Sequence, residues 1–255
     1  MINMLMDGDF PKIWTIVLVC LILYRELENG YFKGFVPYLK TVSFRPYIRI
    51  LVFFGIFLVA VFFLDPFLST KTVQFKHQTW AILVADFGGF LGRQVNPWVF
   101  LTLFYGVGIL WQRRMLPRWS FGGLLSGTLT VLLASVFKFC FLRARPYAEL
   151  GHLSFFNVAG ILEDDRAYQS FVSGDVAIVA GISCYFLYQL RNTFFLRWLV
   201  LLLPLATGFA RIYAGKHWPS DVVLAMGLGL LMAKFVSQYE TALATKSAEF
   251  EIKLK

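Results

Sequence analysis

Six apolar stretches, each near the length of a bilayer-spanning helix, take up most of this chain: Ile48–Leu68, Pro97–Gln112, Phe121–Leu142, Ser173–Leu190, Leu196–Ile212 and Ser220–Val236. A membrane's hydrocarbon core takes about 20 residues of α-helix, and a chain repeating such runs must satisfy its backbone inside helices. Composition agrees: 58% of the 255 residues are hydrophobic and 15% charged, against about 45–50% and about 25% in soluble domains. With 28 Phe, 11 Tyr and 7 Trp, disorder is excluded. A seventh stretch, Pro11–Tyr24, is shorter and reads as a brief span, an interfacial helix or a signal-anchor remnant. The expected fold is therefore an all-α membrane protein: a six-helix transmembrane core over 48–238, an N-terminal apolar or interfacial segment over 1–47, and a cytoplasmic tail over 239–255.

The net charge of +9 comes from 24 Lys and Arg with no dense basic stretch, which argues against a nucleic-acid partner. Their placement is more informative. Arg25, Lys33, Lys40, Arg45 and Arg49, then Arg113, Arg114 and Arg118, then Arg191 and Arg197, and the tail lysines fall on one side of a six-span topology. By the positive-inside rule that side is cytoplasmic. The long loops Ser69–Asn96 and Arg143–Val172 fall outside, the first with an expected amphipathic surface helix. Cys20, Cys140 and Cys184 have no paired spacing and read as small hydrophobes.

Three polar clusters stand at outer span ends, where ionisable residues are costly and point to function. Lys138 and Arg145 are seven residues apart, two helical turns, and are expected on one helical face before Pro146. Two such cations suit a phosphate dianion. Ser170-Phe-Val-Ser173-Gly174-Asp175 opens the next span, where free backbone N–H groups cradle anions. Arg211, His217 and Asp221 join the last two spans, with Pro219 in a first helical turn. The histidine and aspartate have the spacing of a nucleophile oriented by a carboxylate.

In these motifs the chain resembles the type 2 phosphatidic acid phosphatase superfamily of membrane lipid phosphatases and soluble vanadium haloperoxidases. The family pattern K-x6-R-P is complete as Lys138, Arg145 and Pro146; S-R-x5-H-x3-D is complete from Arg211 onward, with Ala210 for serine. The middle motif, P-S-G-H in the family, here reads Val172-Ser173-Gly174-Asp175. The resemblance implies a metal-independent phosphatase without cofactors, acting on a lipid phosphate. His217 would be the nucleophile, Asp221 its orienting partner, and Lys138, Arg145, Arg211, Ser173 and Gly174 the phosphate cradle. Asp175 falls where the family's acid histidine stands. Three sources of leaving-group assistance are open: Asp175 itself, His152 in the outer loop, or a leaving group that needs little acid, such as one phosphate of a diphosphate. Lipid-to-lipid phosphotransfer and a non-catalytic phospholipid binder are the alternative functions. Outside the motifs, Arg143 and Arg166 read as headgroup contacts or ordinary loop arginines, His77 as a surface residue, and Glu163-Asp-Asp165 as a solvated run or a cation site.

Overall fold

The computed structural model describes residues 10–253 apart from 76, 94, 113–114, 159–165 and 191–192. The acidic run Glu163–Asp165 thus lies outside the described residues. All regular structure among them is helical: α1 (Phe10–Glu28), a 3-10 turn (Tyr31–Gly34), α2 (Phe35–Thr41), α3 (Arg45–Gln74), α4 (Thr79–Gly92), α5 (Val95–Leu110), α6 (Met115–Phe141), a 3-10 turn (Pro146–Ala148), α7 (Gly174–Gln189), α8 (Phe194–Tyr213) and α9 (Pro219–Lys253).

Every expected apolar stretch lies on a helix, α3 and α5 to α9 in turn, but the boundaries differ. Among the described residues three helices, α6, α8 and α9, are long and apolar enough to cross a membrane. A fourth span is available if Tyr31–Thr41 and Arg45–Val59, bent by 80° against each other, count as one. The expected spans α5 and α7 have 16 residues each. The outer segment Ser69–Asn96, expected as a loop with an amphipathic surface helix, is mostly helix, and α4 has no polar face. Its exposed side chains include Ile82, Leu83, Phe87 and Phe90, and its buried side meets α8. Hydropathy marks the solvent a segment prefers; helical hydrogen bonding continues past it until a breaker intervenes.

Helix α7 is the axis of the bundle, packed against α4, α6, α8 and α9. A run from Val176 to Gly181 is buried, so this helix contacts protein rather than lipid on most sides. Small residues let the axes approach. A Cβ on Gly229 of α9 would stand 2.7 Å from the Ala180 carbonyl carbon and 2.8 Å from the Gly181 nitrogen. Backbone cannot yield as a side-chain tip can, so Gly229→Val is expected to destabilise the fold by about 1–3 kcal/mol, read as a lower unfolding midpoint in detergent. On the side of α7 that faces α6, Ser126 Oγ donates to the Gly181 carbonyl at 2.7 Å.

The outward faces of α3, α5 and α8 expose Phe53, Ile56, Phe63, Leu103, Phe104, Phe194, Trp198 and Leu202, a belt suited to acyl chains. The chain is an integral membrane protein. The N-terminal segment is docked, not free: Ile22 packs with Leu101 and Tyr105, and Tyr105 Oη donates to Glu26 at 2.5 Å. The tail expected from residue 239 is a continuation of α9. Within it Glu240 is buried and accepts hydrogen bonds from Tyr185 (2.7 Å) and Tyr31 (3.1 Å), joining the N-terminal segment to α7 and α9.

Candidate active site

Lys138 lies in the last turn of α6, and the helix stops at Phe141, where Leu142 takes a positive φ of 43°. Arg145 is therefore not on the helical face expected from its spacing. It is extended (φ −75°, ψ 155°), the conformation that Pro146 imposes on its predecessor. The loop from Arg143 to Val172 supplies what periodicity does not. Ala144 N–H donates to Ser154 O (2.8 Å), Arg145 N–H to Ala167 O (2.8 Å), and Ser170 N–H to Arg143 O (3.0 Å), so the returning chain is hydrogen-bonded along Arg143–Arg145 and delivers Ser170–Ser173 to the start of α7.

That start has the chemistry of an anion-binding end. Ser173 is the N-cap of α7 but its hydroxyl caps nothing, and both its Oγ and Arg145 Nε are buried without hydrogen-bond partners. Unpaired buried donors are rare, and these belong to groups that bind phosphate oxygens. A Cβ on Gly174 would lie 3.4 Å from Lys138 Nζ, which puts the ammonium beside the free N–H groups of the first turn. Gly92 of α4 closes another side: its Cβ position is 3.2 Å from Arg211 Nη2 and 3.2 Å from Asp175 Cβ. Arg211 Nε is 3.0 Å from Asp175 Oδ2, an ion pair whose angle does not make a hydrogen bond.

His217 is 3% exposed, in the short link before α9. Its Nδ1 lies 2.8 Å from the Ser170 carbonyl oxygen. A carbonyl only accepts, so Nδ1 carries the proton and Nε2 keeps its lone pair. Burial pushes the imidazole below its ordinary value of 6.5, helped by the charges of Lys138 and Arg145 and opposed by Asp221. The neutral ring is thus favoured at neutral pH, with its midpoint below the ordinary value. With three histidines in the chain, 15N-labelled histidine spectra, assigned with His217→Ala, are expected to show a protonated Nδ1, a bare Nε2 and a midpoint under 6.5; a midpoint at or above 6.5 would contradict the burial argument.

Asp221 does not reach the ring by the direct hydrogen bond that its spacing suggests. Its Oδ2 is 3.8 Å from His217 Nδ1, beyond hydrogen-bond reach. It accepts instead from Ser170 Oγ (2.5 Å), from the Trp218 backbone N–H (2.8 Å) and from Arg143 Nη1 (2.6 Å). Asp221 is therefore linked to His217 through Ser170, whose hydroxyl it holds while the same residue's carbonyl holds the ring. It also caps α9, as a carboxylate three residues into a helix does.

Arg143, read from sequence as a headgroup contact or a loop arginine, is fully buried. Nη2 donates to Asp65 Oδ2 (2.6 Å), Nη1 to Asp221 Oδ1 (2.6 Å) and Ser220 Oγ (2.7 Å), and Nε to His152 O (2.9 Å). Asp65 in turn accepts from the Ser220 N–H (2.8 Å) and Ser220 Oγ (2.5 Å). The rings of Phe62, Phe155 and Trp218 surround the guanidinium with centroids 4.9–5.4 Å away. His152, one of the candidate proton donors, packs its ring against Phe62 and Trp218 on this side of the site. Asp65 and Ser220 had no role assigned from sequence, and Arg143 and Ser170 were not read there as partners of Asp221. Only Asp65 carried a readable signal, a carboxylate inside an apolar run, which demands a buried cation.

The sequence model of the PAP2 superfamily matches residues 120–244. Among solved structures, LpxE of Aquifex aeolicus is similar at 20% identity with a TM-score of 0.53, covering 69% of this chain and 96% of that one. A transmembrane PAP2-type phosphatidylglycerolphosphate phosphatase of Bacillus subtilis is similar at 23% identity with a TM-score of 0.58, covering 78% of this chain and 98% of that one. At these identities both likenesses concern the fold. No curated protein sequence matches the chain.

Proposed function

We propose, from the match of the PAP2 superfamily model to residues 120–244, that this chain is an integral-membrane lipid phosphatase of that superfamily working through a phosphohistidine. The observation that carries the proposal is the 2.8 Å contact of His217 Nδ1 with the Ser170 carbonyl, which leaves Nε2 as a lone-pair nucleophile beside a cationic cradle. Phosphate binds at Lys138, Arg145 and Arg211, with Ser173 Oγ and the N–H groups from Gly174 onward on its other oxygens. Nε2 attacks phosphorus in line with the leaving oxygen, and water then hydrolyses the phosphohistidine. The cradle holds the three equatorial oxygens in both steps, where charge develops. No metal or organic cofactor is required.

The substrate is a membrane lipid carrying phosphate at the bilayer surface: a phosphatidate-like lipid, a phosphatidylglycerophosphate, undecaprenyl diphosphate or lipid A. The arginine-rich links on the opposite side support an outward-facing site, in a bacterium the periplasmic face of the inner membrane. The purified full chain, given this lipid panel in detergent micelles, is expected to release inorganic phosphate and to carry acid-labile, base-stable label after quenching with radiolabelled substrate. Phosphate appearing on a second lipid instead of in water would make it a phosphotransferase. Neither release nor transfer, with no label on the chain, would leave only phospholipid binding.

A further inference from the structure

The reaction has two proton demands, and the pairing of Asp175 with Arg211 serves only one of them. When His217 attacks, the departing oxygen takes the electron pair of the broken P–O bond, and an alkoxide needs a proton as it leaves. When water attacks the phosphohistidine, a base must take a proton from it. Asp175, on the first turn of α7, is 3.0 Å from the Arg211 guanidinium, with its side chain 22% exposed. An aspartate in such an ion pair is a carboxylate: it accepts protons and has none to give. The other groups of the cradle do not fill the gap. Arginine is not deprotonated in proteins, and the Asp221 oxygens are engaged by Arg143, Ser170 and Trp218. Lys138 stands against the α7 N-terminus as a point charge for phosphate, and the His152 ring is held by Phe62 and Trp218.

Resting on the phosphatase reading above, we propose that Asp175 is the base of the second step and that the first step has no acid, which restricts efficient turnover to lipid diphosphates. In the first step the His217 Nε2–P bond forms at the terminal phosphorus, the bond from that phosphorus to the bridging oxygen breaks, and the lipid monophosphate leaves as an anion. Its conjugate acid has a pKa of about 6, so no proton is needed. In the second step the water oxygen bonds phosphorus, its proton goes to Asp175, the P–N pair returns to Nε2, and phosphate departs. Asp175 then loses the proton to solvent, to which its partial exposure gives access.

The test uses matched substrates, geranylgeranyl monophosphate against the diphosphate and phosphatidate against diacylglycerol diphosphate, so that tail and headgroup preferences cancel. General-acid assistance contributes about 10²–10⁴-fold, and the wild-type chain is expected to prefer each diphosphate in kcat/KM by about that factor. Asp175→His, which restores a group able to donate, is expected to bring the two substrates within about tenfold of each other. Asp175→Asn is expected to give a burst of one equivalent of lipid monophosphate per chain, then slow turnover with phosphohistidine accumulated. Comparable wild-type rates on the mono- and diphosphate of one lipid would overturn the restriction, independently of how any variant folds. Wild-type turnover without a burst in a folded Asp175→Asn chain would overturn the role as base. Release from none of the four lipids, with no label on His217, would instead overturn the phosphatase reading itself.

Discussion

His217→Ala is expected to lower turnover of the best lipid substrate by about 10⁴-fold or more and to remove acid-labile label from the chain. The size follows from what the ring does. In the proposed mechanism it supplies the atom that bonds phosphorus, and Ser173 Oγ, the hydroxyl at the start of α7, has no hydrogen-bond partner to act as its base. Alanine also releases the Ser170 carbonyl, so a loss of rate alone could come from a disturbed loop. Exogenous imidazole separates the two causes, since the space left by the ring admits it. Partial rescue, saturable in imidazole and dependent on its neutral form, is the expected result. A variant within tenfold of wild type would end the assignment of His217 as nucleophile.

Arg143→Met is expected to cost about 3–5 kcal/mol of stability, read as a lowered unfolding midpoint in detergent. Methionine fills the volume but strands two carboxylates, Asp65 and Asp221, that are fully buried and each 2.6 Å from the guanidinium. Lysine is no conservative replacement, because a single ammonium cannot bridge two carboxylates and the His152 carbonyl at once. Combining Arg143→Met with Asp65→Asn is expected to cost less than the sum of the single changes, since the second removes one stranded charge. Additive costs, or a single-variant cost under about 1 kcal/mol, would show that the triad is not what holds α3 to the start of α9. Because Asp221 also holds Ser170, the folded fraction of Arg143→Met is expected to lose kcat more than KM, the His217 lone pair being misaimed while the cradle cations remain.

The helices were legible because lipid is a simple solvent. Each of the six apolar stretches lies on a helix, and the charges able to bind phosphate could be named one by one. Boundaries were less legible: α3 runs to Gln74 and α9 to Lys253, past their apolar cores, because helix propagation does not depend on hydropathy. The Lys138–Arg145 spacing pointed to one helical face, yet the helix ends between them and the outer loop brings Arg145 into place by backbone hydrogen bonds. That loop has no apolar periodicity from which its path could be read.

By itself the sequence determined the solvent this protein folds in and the chemical types gathered at one end of its helices: three cations, one histidine and an aspartate at the acid position of the family pattern. Only the tertiary structure decided which groups engage which. Ser170 and His217 are 47 positions apart, Arg143 and Asp221 are 78, and Asp65 and Ser220 are 155. No local spacing encodes such pairs. They are fixed because each buried charge and each ring N–H must find its partner wherever packing of the helices brings one within reach.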